Sequence, residues 1–404
     1  MLKKISIFIL LINLSLPLSS CYTNSNDINT KAIDKKTLEK DNHEKQYTNS
    51  EETINKVQEL INKQLKLINE NNMNAYIETL DKSENEYIAE KKAWFRDITN
   101  NKVDDFTIKV LETRKTQENN IVAKINQRYR YNGKEYDITY ENKYIIDSKK
   151  ILDSDLNFQS LKTEHFIIKY PESEKNIAKI VSQGSESGYF DIINRLGMEP
   201  ENKTVIKIYN DLELLRQSVK LTFAWQFGGW YEYPESIKIG ISEFDKKLSD
   251  DQYNKKVERV VSHELTHKIT LTRARNNLPY WLAEGLATHY TDYYDWTPNN
   301  FRRFSSLWSI DDLESRNLEI MTDNNDISKY YRSAGAITTY ISYEFGKDKL
   351  LEIIEELGHY SYVEGTGVEV DSISIDRFHE VIEKVLGMSI EELDNYWINY
   401  KENL

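Results

Sequence analysis

Five residues in the middle of this 404-residue chain, His263-Glu264-Leu265-Thr266-His267, have the types and spacing to hold a metal ion and put it to work. On a helix, side chains four apart stack on one face, so His263 and His267 can offer two imidazole nitrogens to one cation. Glu264 sits one step round, where it reaches a water at the cation without binding the cation itself, the position of a general base. The chain has only 7 His and 66 acidic residues, and chance then yields an H-E-x-x-H at most about 0.02 times. Catalytic zinc takes three protein ligands and keeps a fourth position open. The spacing offers Glu284 as the third donor, 17 residues beyond His267 in Leu278-Pro279-Tyr280-Trp281-Leu282-Ala283-Glu284-Gly285-Leu286-Ala287. Pro279 starts a helix there, Trp281, Leu282 and Leu286 give it an apolar side, and the gap lets the chain finish one helix and return antiparallel.

His263-Glu264-x-x-His267 followed by Trp281-Leu282-Ala283-Glu284-Gly285 resembles the gluzincin clan of zinc metallopeptidases, and within it the bacterial peptidase-MA-like group. The likeness runs over about 161–402. It takes in His165-Phe166-Ile167-Ile168-Lys169-Tyr170, Tyr330-Tyr331-Arg332-Ser333-Ala334-Gly335, and the ending Leu386-Gly387-Met388-Ser389-Ile390-Glu391-Glu392-Leu393 with Trp397. The resemblance implies His263, His267 and Glu284 as zinc ligands and Glu264 as general base. It also implies a tyrosine that donates to the oxyanion, three residues before a small residue at a helix start. Tyr331, before Ala334, matches, with Tyr330 as the alternative. One zinc ion would lower the pKa of its water towards about 7. Glu264 would take that proton and pass it to the leaving amine, while Tyr331 steadies the oxyanion. The Gly-x-Met-x-Asn signature with which aminopeptidases of this clan hold a free amine is absent before His263. Gly228-Gly229-Trp230 and the alternating run 236–241 occupy the region, the latter either an edge strand for an extended substrate or an internal strand. His289, five residues after Glu284, is a candidate lining residue at most, and His43, His165, His359 and His379 show no ligand spacing.

The elements that must position this site follow from periodicity. Residues 164–170 read as a strand stopped by Pro171, 172–195 as a helix ended by Gly197, 205–209 as a strand, and everything beyond Asp250 as mainly helical. This is the expected metallopeptidase domain, 161–404. Ahead of it, Ile54, Val57, Ile61, Leu65 and Ile68 recur at helical spacing over 50–71, and a second helix is expected over 73–94. The period then drops to two, with Phe106, Ile108 and Val110, then Ile121, Ala123 and Ile125, then Tyr136, Ile138 and Tyr140 across an Asn132-Gly133 turn. Helices followed by an antiparallel sheet describe a small α+β accessory domain over 51–155. In outline it resembles the cone-shaped folds of the nuclear-transport-factor and cystatin-like type.

Met1-Leu2-Lys3-Lys4, a short apolar run over 5–18, and Leu18-Ser19-Ser20-Cys21 resemble a bacterial lipoprotein signal peptide. The resemblance implies removal of 1–20, lipid on Cys21, and anchorage at the cell surface. Residues 22–50 are polar and aperiodic, a disordered tether with a reach of roughly 30 Å.

Composition bounds the rest. A formal charge of −13 excludes nucleic acid as a general partner. The single cysteine excludes an intramolecular disulfide and any cysteine-based zinc site. With 14 Gly and 6 Pro against 27 Tyr, the chain suits long helices and sizeable cores. The expected fold class is α+β, a gluzincin-type domain preceded by the cone-shaped one. The expected partners are a peptide or protein substrate and, through Cys21, a membrane; the oligomeric state stays open. The first functional expectation is a membrane-anchored zinc metallopeptidase. The second is a surface binding or sensor lipoprotein with a weakly active peptidase-like fold. Glu264 argues for the first, because a purely structural zinc site has no use for it.

Overall fold

The computed structural model describes residues 51–403 apart from 117–119, 149, 225, 292–297 and 305. The signal-peptide, tether and Cys21 readings, and His43, lie outside the described residues. The chain is a mixed α+β structure with two small sheets. It opens with helix α1 (Glu51–Asn69), whose Val57, Ile61, Leu67 and Ile68 are buried. The helix expected over 73–94 is in fact two, α2 (Met73–Ile77) and α3 (Asn85–Asn100). The interruption is fixed by contacts with Asp153 and Ser154, far along the chain. Asp81 N–H donates to the Asp153 carbonyl, and the Asp81 carboxylate accepts from the backbone and hydroxyl of Ser83 and from Ser154 Oγ. Those bonds outcompete a helical turn.

Strands β1 (Asp104–Lys115), β2 (Ile121–Tyr131), β3 (Lys134–Asp147) and β4 (Lys150–Leu156) then form an antiparallel meander in chain order. The β2–β3 hairpin closes at Asn132 and Gly133, both at positive φ (49° and 73°). That is the backbone a two-residue primed turn needs. One side of this sheet packs Ile121, Ile125 and Tyr144 on α1, and Tyr129 on Trp94 and Phe95 of α3.

Only Asn157 separates β4 from β5 (Phe158–Lys162), so the second sheet starts ahead of the expected boundary near 161. It continues with β6 (Phe166–Pro171), helix α4 (Lys175–Leu196), β7 (Thr204–Tyr209), α5 (Leu212–Val219), β8 (Gly229–Trp230) and β9 (Ile237–Gly240). The strand order is β5-β6-β7-β9-β8, parallel at β6-β7-β9 and antiparallel at both edges. Helices α6 (Asp250–Arg273), α7 (Tyr280–Tyr290), α8 (Ile310–Glu314), α9 (Asn324–Glu344), α10 (Lys347–Leu357), α11 (Asp371–Leu386) and α12 (Ile390–Glu402) complete the chain. Ile206, Ile208, Ile237 and Ile239 share a core with Val181 of α4 and Val257, Val261 and Leu265 of α6, so one face of the sheet is covered by these helices.

The other face carries Lys207 and Lys238, both without exposed surface. Strand alternation sends them away from the isoleucines, into acids that meet there. Glu90 of α3 accepts from Lys207 Nζ (2.6 Å) and Ser236 Oγ (2.5 Å) and lies 3.4 Å from Lys238 Nζ. Asp155 is 2.5 Å from Lys207 Nζ, and Glu235 is 2.6 Å from Lys238 Nζ. Burial alone would neutralise these groups. Burial opposes the charge on Lys207, but Asp155 and Glu90 outweigh it and hold its pKa above the ordinary lysine value. Around this charged layer, Trp94 Nε1 donates to the Gln217 carbonyl, and Tyr129 Oη donates to the Leu221 carbonyl and accepts from Arg216. The first sheet and its helices are thereby fastened to the strands beneath α6.

Candidate metal centre

Helix α6 is fixed at its N-terminus and along its length. Ser249 and Gln252 form a capping box, and Asp250 and Asp251 stand in the first turn, where negative charge suits the helix dipole. Along its middle, α4 crosses it closely: a Cβ on Gly184 would lie 2.9 Å from the Asn254 carbonyl, and one on Gly188 2.8 Å from that of Glu258. Helix α7 begins just past Pro279, with Tyr280 N–H donating to Asp371 Oδ1 (2.7 Å). It crosses α9 at Gly285, where a Cβ would meet Thr338 Oγ1 at 2.3 Å and the Ala334 carbonyl at 2.7 Å. The small residues beside Glu284 and Tyr331 are thus what allow the two helices to touch.

These crossings bring the three expected ligands together. His263 Nε2 and His267 Nε2 are 3.2 Å apart, and Glu284 Oε2 lies 3.3 Å from the first and 3.5 Å from the second. Donors about 2.0–2.1 Å from a tetrahedral zinc are roughly 3.3–3.4 Å from one another. The triangle therefore has the size of a His₂Glu zinc site with one apex open. The donor set fits as well. Glu284 Oε2 is buried and accepts no hydrogen bond, an orphaned carboxylate oxygen that a cation would satisfy. Burial pushes Glu284 upward, but His267 and His263 overcome it and hold the carboxyl at about 2, ionised at any ordinary pH. Among the described residues, this is the only cluster of three His, Cys, Asp or Glu side chains with metal-binding proximity.

Glu264 is buried next to the triangle. Burial first, and Glu284 second, push it up to about 8, while His263 and Lys238 pull it down. A divalent cation beside it would favour the ionised form further. Strand β8 covers it: a Cβ on Gly229 would stand 2.6 Å from Glu264 Oε1 and 2.7 Å from Val260 Cγ1. The run 236–241 is an internal strand, since β9 lies between β7 and β8. The free edge belongs to Gly229–Trp230. Tyr331 sits in the interior of α9 rather than at a helix start, with its ring 6.5 Å from that of His263. Tyr330 is buried away from solvent.

The other described histidines are occupied elsewhere. His165 Nδ1 meets Glu186 at 2.6 Å, His289 Nδ1 meets Thr339 Oγ1 at 2.8 Å, His359 meets Glu356 and His379 meets Glu314. His289 therefore faces α9 and takes no part in the triangle. Two functional features escaped the sequence: Gly229 as the residue lying on Glu264, and Lys238 as a charge acting on it. The Gly228-Gly229 pair was the available signal for the first. No family model matches the chain, and none of the curated proteins matches it.

Proposed function

We propose that this chain is a zinc-dependent metallopeptidase of gluzincin type, working outside the cytoplasm and tethered to a membrane through lipidated Cys21. The observation that carries the reading is the near-equilateral spacing of His263 Nε2, His267 Nε2 and Glu284 Oε2 beside a buried fourth group, Glu264. His263, His267 and Glu284 would hold the ion. Once bound, zinc would supply Lewis acidity and a lowered water pKa. The protein's own groups account for the remainder. Glu264, shielded by β8, takes a proton from the attacking water and returns it to the departing amine. Tyr331, its ring 6.5 Å from that of His263, would be the donor to a developing oxyanion. The unpaired edge of β8 gives an extended peptide main-chain partners next to Glu264. The first sheet and its helices, read as a cone-shaped accessory domain, hold the strands beneath this edge.

The test is peptide hydrolysis by the wild type, Glu264→Gln and Tyr331→Phe, each with zinc content measured. Loss of a general base costs about 10²–10⁴ in rate, and loss of one oxyanion donor about 10²–10³. Full zinc with hydrolysis reduced to those levels is the expected result. Unchanged turnover in Glu264→Gln contradicts the mechanism.

A further inference from the structure

One turn beyond Glu264 on the same face of α6 stands Lys268. It is half-buried, and no acid lies within ion-pair distance of its ammonium among the described residues. Its ammonium stands 6.0 Å from the face of the Tyr231 ring, and the carboxylate that acts on it, Glu86, does so only from beyond ion-pair distance. Buried Lys207, Lys220 and Lys238 each meet a carboxylate within 2.9 Å. Charged groups taken from water are normally paired, and Lys268 is the exception next to the site.

Its place relative to the edge strand gives the unpaired charge a meaning. Gly229 of β8 lies on Val260 and Glu264. Two residues on, Tyr231 lies by Lys268, with Thr272 close to its hydroxyl. The segment 229–231 therefore runs along the stripe Val260, Glu264, Lys268, Thr272. A peptide paired with the free edge of β8, its reacting carbonyl at Glu264, must pass Lys268. One helical turn is about 5.4 Å, about two residues of extended chain.

We propose that Lys268 is a specificity-determining residue that pairs with a substrate carboxylate about two residues from the cleaved bond. The inference rests on the peptidase reading above. The carboxylate has two sources, an Asp or Glu side chain or a free C-terminus, and both present the same chemistry to an ammonium. Charge-assisted bonds in a shielded cleft are among the strong polar contacts, and a carboxylate that supplies the missing partner removes the cost of the unpaired cation.

The experiment compares kcat/KM on matched peptides. One pair differs by Asp against Asn at each position within three residues of the scissile bond; the other carries a free or an amidated C-terminus. The wild type is expected to prefer the carboxylate form at one position, by about tenfold or more, which corresponds to about 1.4 kcal/mol. Lys268→Arg keeps the preference, Lys268→Gln brings the ratio to about one, and Lys268→Glu inverts it towards Lys-bearing peptides. The Asp/Asn pair responding alone identifies a side chain, and the C-terminal pair responding alone identifies a chain end. Equal cleavage of all pairs by the wild type, or an undiminished preference in Lys268→Gln, overturns the assignment while leaving the peptidase intact. No cleavage of any peptide by zinc-loaded wild type overturns both.

Discussion

Removing Glu90 is the perturbation that best tests how the two sheets are joined. Glu90 is 5% exposed and accepts from Lys207 Nζ and Ser236 Oγ, with Lys238 Nζ 3.4 Å away. In Glu90→Ala, Lys207 keeps Asp155 and Lys238 keeps Glu235, so neither lysine is fully abandoned. Breaking a buried ion pair from one side costs about 3–5 kcal/mol, and the surviving partners place this change near the lower end, about 3 kcal/mol. Lys207→Met should cost as much or more, because it removes the ammonium that Glu90 and Asp155 share and leaves Asp155 only Lys169, 4.0 Å away. The double variant should cost clearly less than the sum, since the charge each single change leaves uncompensated is then removed with its partner. Urea unfolding of the four proteins, followed by tryptophan fluorescence and circular dichroism, gives the cycle. Additive losses, or a loss below about 1 kcal/mol in Glu90→Ala, would refute the view that this charged layer fastens the sheets.

Gly229→Ala puts a methyl group 2.6 Å from Glu264 Oε1 and 2.7 Å from Val260, so β8 or the Glu264 carboxylate must move. Hydrolysis should fall at least about tenfold, because misplacement near 1 Å can cost about 100-fold, while zinc content and the circular dichroism spectrum stay unchanged; full activity would remove β8 from the site. Burial, then Lys347 and Arg195, lower the His289 pKa to about 4. The unfolded chain, titrating near 6.5, therefore binds a proton that the folded chain refuses, and stability is full above about pH 6.5 and falls towards pH 4. Compared with His289→Gln, the wild type should lose up to about 3 kcal/mol more over that window; parallel urea midpoints for the two proteins across it would contradict the burial argument.

How much of this was legible in advance depends on how local the signal is. His263, Glu264 and His267 lie within two turns of one helix, and periodicity alone places them. Glu284 was readable because Pro279 and the flanking apolar residues mark a second helix of limited length. The turn at Asn132-Gly133 and the helix stop at Gly197, at φ 77°, follow from backbone preference. The break after Ile77 was not readable, because it depends on Asp81 and Thr79 pairing with Asp153, far along the chain. Nor was the layer at Lys207 and Lys238. A strand reading Ile-Lys-Ile-Gly looks half solvated, and only Glu90, brought in by α3, together with Glu235 three residues upstream makes its lysine an interior residue. The internal position of β9 was hidden in the same way, since β8 is two residues long and carries no pattern of its own.

The central claim is that His263, His267 and Glu284 close on one divalent ion. Its most direct test is metal stoichiometry by mass spectrometry and competition titration on the purified protein, with Glu284→Ala alongside. The account predicts one zinc per wild-type chain and an affinity lowered by at least about 100-fold in the variant. A wild type that binds no zinc, or a variant that binds it as tightly, would contradict it.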